Sequence, residues 1–182
     1  MKNFIQLIVF AGFLSVSSIS HAGDFKLSST DISEGQKLKS EQVFNGFGCK
    51  GGNISPALKW TGAPKGTKSF VITAYDPDAP TGSGWWHWTL ANIPANVTSL
   101  PANAGNGKNL PKGALQTKSD YGTTGFGGAC PPPGEVHRYI FTVYALKTDK
   151  LAIKADSSNA LVGFMTKANA IAQASITAVY NR

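Results

Sequence analysis

Acidic residues, sulfur and histidine are scarce in this sequence, and each shortage excludes a class of protein. The 182 residues include 10 Asp and Glu, two Cys and three His. Two cysteines alone cannot build a structural zinc site, and neither pairs with a histidine at the short spacing that zinc motifs use. We therefore expect no metal site, and no motif indicates any other cofactor.

Because acidic side chains are few, basic side chains outnumber them. With 17 Lys and Arg the formal net charge is +7, which permits contact with anionic lipid head groups, nucleic acid or acidic surfaces. The lysines of the mature chain, however, are scattered from Lys26 to Lys167, and no basic run interleaved with aromatics suits nucleic acid. We expect a solvated basic surface and no nucleic-acid partner, with lipid head groups as a candidate partner.

Long hydrophobic runs are absent except at the N-terminus. Lys2 precedes an apolar stretch, 4–16, and small residues follow up to Ala22. This order is typical of a secretory signal peptide, whereas the stretch is too short to cross about 30 Å of hydrocarbon as an anchor. We predict a signal peptide over residues 1–22, one mature domain over residues 23–182, and a periplasmic or secreted location.

The two cysteines, Cys49 and Cys130, would enter an oxidising compartment after export, where disulfides persist. A bridge between them would close a long loop and stabilise the fold by about 4 kcal/mol, because it lowers the entropy of the unfolded chain. We expect this disulfide, with two buried free thiols as the alternative.

Segments rich in β-branched and aromatic residues alternate with loops rich in glycine and proline. The strongest strand patterns cover 69–75, 86–93 and 138–146. All three are apolar on both faces, which is typical of central strands covered on both sides. Weaker patterns predict shorter strands at 25–28, 58–60 and 175–180.

One helix is predicted near the C-terminus. Ser157 or Ser158 can cap it, and Leu161, Met165, Ala168 and Ala172 follow at helical spacing. We interpret Leu161 and Met165 as core residues of this helix. The expected fold class is therefore mainly β, a β-sandwich-like domain with a late helix.

Two histidines adjoin the two most turn-rich loops. Asp76 ends a predicted strand before Pro77, and His87 opens the next strand. If these strands pair, Asp76 and His87 meet at one end of the sheet, where a carboxylate favours the imidazolium. The alternative is that Asp76 and Asp78 bond only their own turn, and that His87 is a buried core residue.

The second histidine, His137, follows the glycine-rich loop 122–134 and lies on the same strand face as Tyr139. Gly127 and Gly128 in this loop can present backbone N–H groups that bind anions. The pattern indicates a small anion pocket, although the loop could also be only a connection.

Several of these segments, in this order, resemble the signature regions of the phosphatidylethanolamine-binding proteins, in particular their bacterial Raf-kinase-inhibitor-like branch and its exported members. They are 53–60 (NISPALKW), 76–80 (DPDAP), 82–88 (GSGWWHW), 126–132 (FGGACPP) and 137–139 (HRY). The resemblance covers essentially the whole mature chain.

The resemblance implies a β-sandwich with a large central antiparallel sheet, a smaller second sheet, and a pocket for phosphate, phosphorylethanolamine or a carboxylate. It also implies a cis Ala79–Pro80 bond and an anion cradle from Gly128 to Cys130, with Pro131. Carried over by motif, the ligand-binding residues are Asp76, Asp78, Ala79, Pro80, His87, Gly128, Pro132, His137 and Tyr139. Because the loop before His137 is shorter than in the animal proteins, their ligand preference does not transfer.

We therefore expect a non-enzymatic binding or regulatory protein for a small anionic ligand, with no catalytic residues. One alternative is a hydrolase that uses Asp76, His87 and His137 as acid–base groups; no G-x-S-x-G motif supports it. The other is a protease or kinase inhibitor acting through a surface loop. The sequence names no protein partner, and a homodimer is one option for the oligomeric state.

Overall fold

Three long strands form the centre of the fold in the computed structural model, which describes residues 25–182. The predicted signal peptide lies outside the described residues. The strands are β1 (Lys26–Ser28), β2 (Asn45–Gly46), β3 (Cys49–Lys50), β4 (Leu58–Thr61), β5 (Ser69–Asp76), β6 (Trp85–Pro94), β7 (Ser99–Leu100), β8 (Leu115–Gln116), β9 (Val136–Leu146) and β10 (Ala170–Asn181).

The main sheet is antiparallel and has the order β10-β9-β5-β6-β8. The three predicted central strands, β5, β6 and β9, are indeed its middle, and β5 is buried along almost its whole length. Buried strands of this kind need apolar side chains on both faces, which is the pattern that the sequence shows.

Strand pairing brings the end of β5 and the starts of β6 and β9 together at one end of the main sheet. Asp76, the last residue of β5, pairs with Trp85 at the start of β6. On the other side, Tyr75 pairs with Ile140, close to the start of β9. Polar residues at the end of β5 therefore lie between the first residues of two neighbouring strands.

A smaller sheet of order β1-β4-β7 closes the sandwich, so the predicted fold class is confirmed. Its Trp60 meets Phe70 of the main sheet edge to face, with ring centroids 5.4 Å apart, and Phe25 stacks on Phe70 at 6.2 Å. These aromatic contacts join the two sheets through one buried apolar core.

The late helix, α1 (Asn159–Asn169), is present, with Ser158 as its cap: the Ser158 hydroxyl accepts the N–H of Leu161. Its predicted buried face is right for Met165, which packs against a small apolar cluster that includes Val71 and Leu146, and wrong for Leu161. Leu161 is 46% exposed, and the buried residues are instead Asn159, Val162 and Thr166. Because Asn159 donates to Asp120 and bonds Thr89, polar anchoring decides the rotation of the helix. No helix in the described range is long and apolar enough to span a membrane.

The predicted disulfide is confirmed. Cys49 of β3 and Cys130 are bonded, with Cα atoms 6.0 Å apart across a sequence separation of 81 residues. The bond ties the β2–β3 hairpin to the glycine-rich loop before β9. It is typical of proteins outside the reducing cytoplasm.

Reduction of this bond should lower stability substantially. Freeing a loop of this length costs about 4 kcal/mol on the chain-entropy account, which corresponds to a loss of roughly 10 °C in melting temperature. Thermal unfolding followed by circular dichroism with and without dithiothreitol measures this. A Cys49→Ser/Cys130→Ser variant should melt like the reduced protein and ignore the reductant; equal melting of all forms would contradict the prediction.

Candidate functional site

A cleft of about 170 Å³ opens at the end of the main sheet where β5 ends and β6 and β9 begin. The predicted site residues that line it come from both signature regions. They are Asp76, Ala79, Pro80, His87, Pro132, His137 and Tyr139. Two other predicted residues, Asp78 and Gly128, do not line the cleft.

The floor of the cleft holds a buried ion pair. Asp76 Oδ2 lies 2.7 Å from His137 Nδ1, and both side chains are 3% exposed. Glu135 Oε2 lies 2.8 Å from the other ring nitrogen, Nε2. Burial opposes a charge on the ring, but the hydrogen bonds to Glu135 and Asp76 outweigh it and raise the pKa of His137. Both ring nitrogens of His137 thus face carboxylate oxygens, an arrangement that favours the imidazolium form.

The expected pairing of Asp76 with His87 was therefore wrong in its partner. The two residues share the cleft, but His87 Nδ1 bonds the carbonyl of Gly127 at 2.8 Å instead. Burial lowers the pKa of His87 in spite of that bond and of nearby Asp76. Because a carbonyl only accepts, Nδ1 carries the hydrogen of this neutral ring, and Nε2 is left as an acceptor.

Asp78 turns away from the cleft because Arg138 holds it. The guanidinium donates to both carboxylate oxygens, at 2.6 and 2.9 Å, and the backbone N–H of Arg138 donates as well. The hydrogen bond from the Arg138 side chain lowers the pKa of Asp78 to about 2. Asp78 thus links the β5 turn to β9 and supports the cleft from outside.

The N–H groups of residues 127–129 in the glycine-rich loop are used within the protein and do not form the expected anion cradle. The N–H of Gly128 donates to Asn53 Oδ1 at 2.7 Å, while those of Gly127 and Ala129 donate to the carbonyls of His87 and Gln42. A side chain on Gly128 would collide with the backbone at residues 42–44. Glycine is needed here for close backbone packing, so the loop is a wall.

The turn after β5 holds the cleft open without a cis bond. No cis peptide occurs among residues 25–182, which corrects the expectation for Ala79–Pro80. The turn closes instead through Asp76 Oδ1, which accepts the N–H groups of Asp78 and Ala79 at 2.8 and 3.1 Å. The N–H of Thr81 then donates to the Ala79 carbonyl.

Aromatic residues that the sequence did not single out complete the walls. Phe47, Trp85 and Tyr121 line the cleft, and the His87 ring stands edge to face with both Tyr121 and Tyr139, with centroids 5.6 and 5.1 Å apart. Phe47 arrives on the disulfide-bonded hairpin, two residues before Cys49. The sequence signals were that short spacing for Phe47 and, for Trp85, its place in the signature-like segment 82–88; Tyr121 had none beyond its place beside a glycine.

Three buried polar atoms in these lining residues have no hydrogen-bond partner among the described residues. They are His87 Nε2, Tyr139 Oη and Trp85 Nε1. Burial raises the pKa of Tyr139, so its hydroxyl keeps its hydrogen. Unpartnered buried polar groups are costly and uncommon. They leave two donors, Trp85 and Tyr139, and one acceptor, His87, unused in side chains that line the cleft.

Known proteins match the described domain over almost its whole length. The family profile for "Phosphatidylethanolamine-binding protein" matches residues 28–181. The UPF0098 protein YbcL of Escherichia coli K12 is 55% identical, covering 99% of this chain and 98% of YbcL. UPF0098 protein YbhB of the same strain is 53% identical over 86% of this chain and 99% of YbhB.

Two solved structures also superpose on this chain. The crystal structure of E. coli YbcL, described as a new member of the mammalian PEBP family, superposes with a TM-score of 0.86 at 57% identity. It covers 87% of this chain and 99% of that one. A phosphatidylethanolamine-binding protein homologue from Chlamydia trachomatis superposes with a TM-score of 0.73 at 27% identity, covering 87% and 97%.

Asp76→Ala should destabilise the protein strongly, by about 3–5 kcal/mol, because it leaves His137 and two backbone N–H groups without their buried carboxylate. Asp78→Ala is the matched control two residues away. Its ion pair with Arg138 is partly exposed, so its loss should cost about 1 kcal/mol or less. Urea denaturation of both variants measures the difference, and equal losses would refute the central role of Asp76.

Stability should also fall as the pH rises above 6.5, the ordinary pKa of histidine. The pKa of His137 is raised above its ordinary 6.5 in the folded protein. Its stabilisation is therefore fully present below pH 6.5 and is lost as the pH passes through the folded-state pKa. Denaturation of wild type and His137→Gln between pH 6 and 9 should show a decline in wild type that the variant lacks. Parallel pH profiles would exclude a charged His137.

Proposed function

This chain belongs to the phosphatidylethanolamine-binding protein family, and we propose that it is an exported, non-enzymatic binding protein whose cleft holds a small, partly protonated oxyanion such as a phosphate monoester. The family resemblance recognised in the sequence supports this proposal. The cleft chemistry supports it independently, and the observation that carries it is the set of three unpartnered polar atoms.

Those atoms define the ligand by complementarity. Trp85 and Tyr139 offer hydrogens, so the ligand must supply accepting oxygens. His87 Nε2 offers a lone pair, so the ligand must supply one hydrogen. A monoprotonated phosphate or a carboxylic acid has both. A phosphate monoester has three terminal oxygens and a carboxyl group has two, so a phosphate monoester can serve all three atoms and still carry its substituent into solvent.

The charges of the cleft agree with a ligand of low charge. His137 is an imidazolium, but Asp76 and Glu135 both lie against it, and His87 is neutral. A dianion would meet two carboxylates, whereas a protonated monoanion meets fewer unfavourable contacts. Binding should thus be coupled to proton uptake.

Export is supported by two independent features. The first 22 residues have the charge, apolar and cleavage-site order of a signal peptide. The Cys49–Cys130 disulfide suits an oxidising compartment such as the periplasm. A phosphorylated small molecule or a lipid head group is the expected ligand there, and any protein partner would meet the basic surface outside the cleft.

No observation favours the two alternatives. A hydrolase with a side-chain nucleophile needs that group beside a base, and Thr81, the one aliphatic hydroxyl among the described lining residues, donates its hydrogen to the Gly84 carbonyl. His137 is bonded at both ring nitrogens, and burial lowers the pKa of His87, which makes its free nitrogen a weaker base. An inhibitor loop would need an exposed segment with its own recognition chemistry, and none of the contacts described here indicates one.

Phosphorylethanolamine should stabilise the protein against thermal unfolding. At about 100 times its Kd, a ligand raises the free energy of unfolding by about 2.7 kcal/mol. Tyr139→Phe should weaken binding about tenfold or more, because a donor to a charged acceptor is lost, and His87→Ala should abolish the effect. Tyr144→Phe is the matched control, since it removes a hydroxyl from the same strand outside the cleft.

The same measurement at pH 6 and pH 8 tests the protonation. A phosphate monoester dianion takes up one proton near pH 6, and this protonation of the ligand favours binding at pH 6. The lowered pKa of His87 keeps its acceptor nitrogen available. Stabilisation that is absent at every pH would refute the proposal, as would equal stabilisation of wild type and Tyr139→Phe.

A further inference from the structure

The Glu135 carboxylate is hydrogen-bonded to the ring nitrogen through which His137 could contact a ligand. His137 Nδ1 is committed to Asp76, which leaves Nε2 as the remaining donor of the one cation in the described lining. Glu135 Oε2 lies 2.8 Å from that atom. The second ring nitrogen of His137 is therefore already bonded to a carboxylate of the same chain, Glu135, which adjoins the cleft through His137 and is not itself among the lining residues.

The contact is asymmetric in burial. The His137 side chain is 3% exposed, whereas that of Glu135 is 49% exposed. A buried imidazolium needs a partner, because leaving it unpaired in a low-dielectric site is costly. A half-exposed glutamate does not, since water can solvate it as soon as it turns outward. Of the two residues, only Glu135 can leave at low cost.

The backbone around Glu135 is held while its side chain is not. The N–H of Gly134 donates to the carbonyl of Arg182, and the N–H of Glu135 donates to that of Pro132. Arg182 Nε also donates to the Pro131 carbonyl at 2.7 Å, and Cys130 is in the disulfide. Movement at this rim is thus confined to rotation of the Glu135 side chain.

We propose that Glu135 is an internal competitor for the ligand: its carboxylate holds the place of an oxyanion beside His137 Nε2, and a bound ligand displaces it. This inference rests on the proposed function of the cleft. Displacement exchanges the hydrogen bond from the imidazolium to the Glu135 carboxylate for one from the imidazolium to the ligand oxyanion. It also adds the contacts of the ligand to Trp85, Tyr139 and His87. A ligand must therefore use several of these atoms at once to bind.

Because a ligand must displace Glu135, this residue affects which anions can bind. A simple anion that replaces only the Glu135 contact gains nothing, because the internal carboxylate is tethered at high effective concentration. An oxyanion with several oxygens gains all the remaining contacts. Glu135 is in this way an affinity- and specificity-determining residue, which keeps the empty cleft neutralised and rejects weak anions.

Titration calorimetry with inorganic phosphate tests the proposal on four forms of the protein. Glu135→Gln should bind phosphate about fivefold more tightly than wild type, since it loses a half-exposed competing ion pair. Glu135→Asp keeps the charge but is one methylene shorter, so it should also bind more tightly. Glu41→Gln is the control, because it changes the net charge equally at an exposed glutamate outside the cleft and should match wild type.

The outcomes separate the two proposals. If wild type binds phosphate and Glu135→Gln binds equally or more weakly, displacement is wrong and the binding function stands. If Glu135→Gln alone binds more tightly while Glu135→Asp matches wild type, a charge effect replaces displacement and the inference is overturned. If no form binds, both proposals fail. Thermal unfolding of the variants confirms that each is folded, which the exposure of Glu135 leads us to expect.

Discussion

A single buried carboxylate organises the site end of this fold. Asp76 ends the central strand β5, and its two oxygens do different work. Oδ1 accepts two N–H groups and closes the turn after the strand, while Oδ2 holds the imidazolium of His137 from the neighbouring strand. Because both contacts are buried, the turn, the start of β9 and the charge of the cleft depend on one another.

The cleft differs from a simple cationic anion hole. Its histidines have opposite roles: His87 is neutral and keeps a free acceptor nitrogen, whereas His137 is charged but neutralised on both sides. Selectivity of this cleft then comes from hydrogen-bond matching more than from net charge, since buried donors left unpaired are costly and reward the one ligand that pairs them. The disulfide and the Asp78–Arg138 pair hold the two walls on which this matching depends.

Much of this architecture could be predicted. Two-sided apolar runs identified β5, β6 and β9 as central strands, and Ser158 marked the start of the helix. The buried side of the helix could be predicted only in part: Met165 packs on the core as expected, but Asn159, which donates to Asp120, and Val162 are buried in place of Leu161. The turn at Ala79–Pro80 needs no cis bond, because the Asp76 carboxylate closes it.

The sequence by itself determined the strand order along the chain, since alternation and turn residues act locally. The segments that form the cleft followed from the family resemblance, and the disulfide was one of two states that the sequence allowed for Cys49 and Cys130. Only the tertiary structure decided the partners. Register placed Asp76 against His137, backbone packing consumed the N–H of Gly128, and Arg138 drew Asp78 outward. Phe47 and Tyr121 joined the cleft through contacts between segments far apart in the chain. Hydrogen-bond partners depend on distances of a fraction of an ångström between such segments, and no local pattern encodes them.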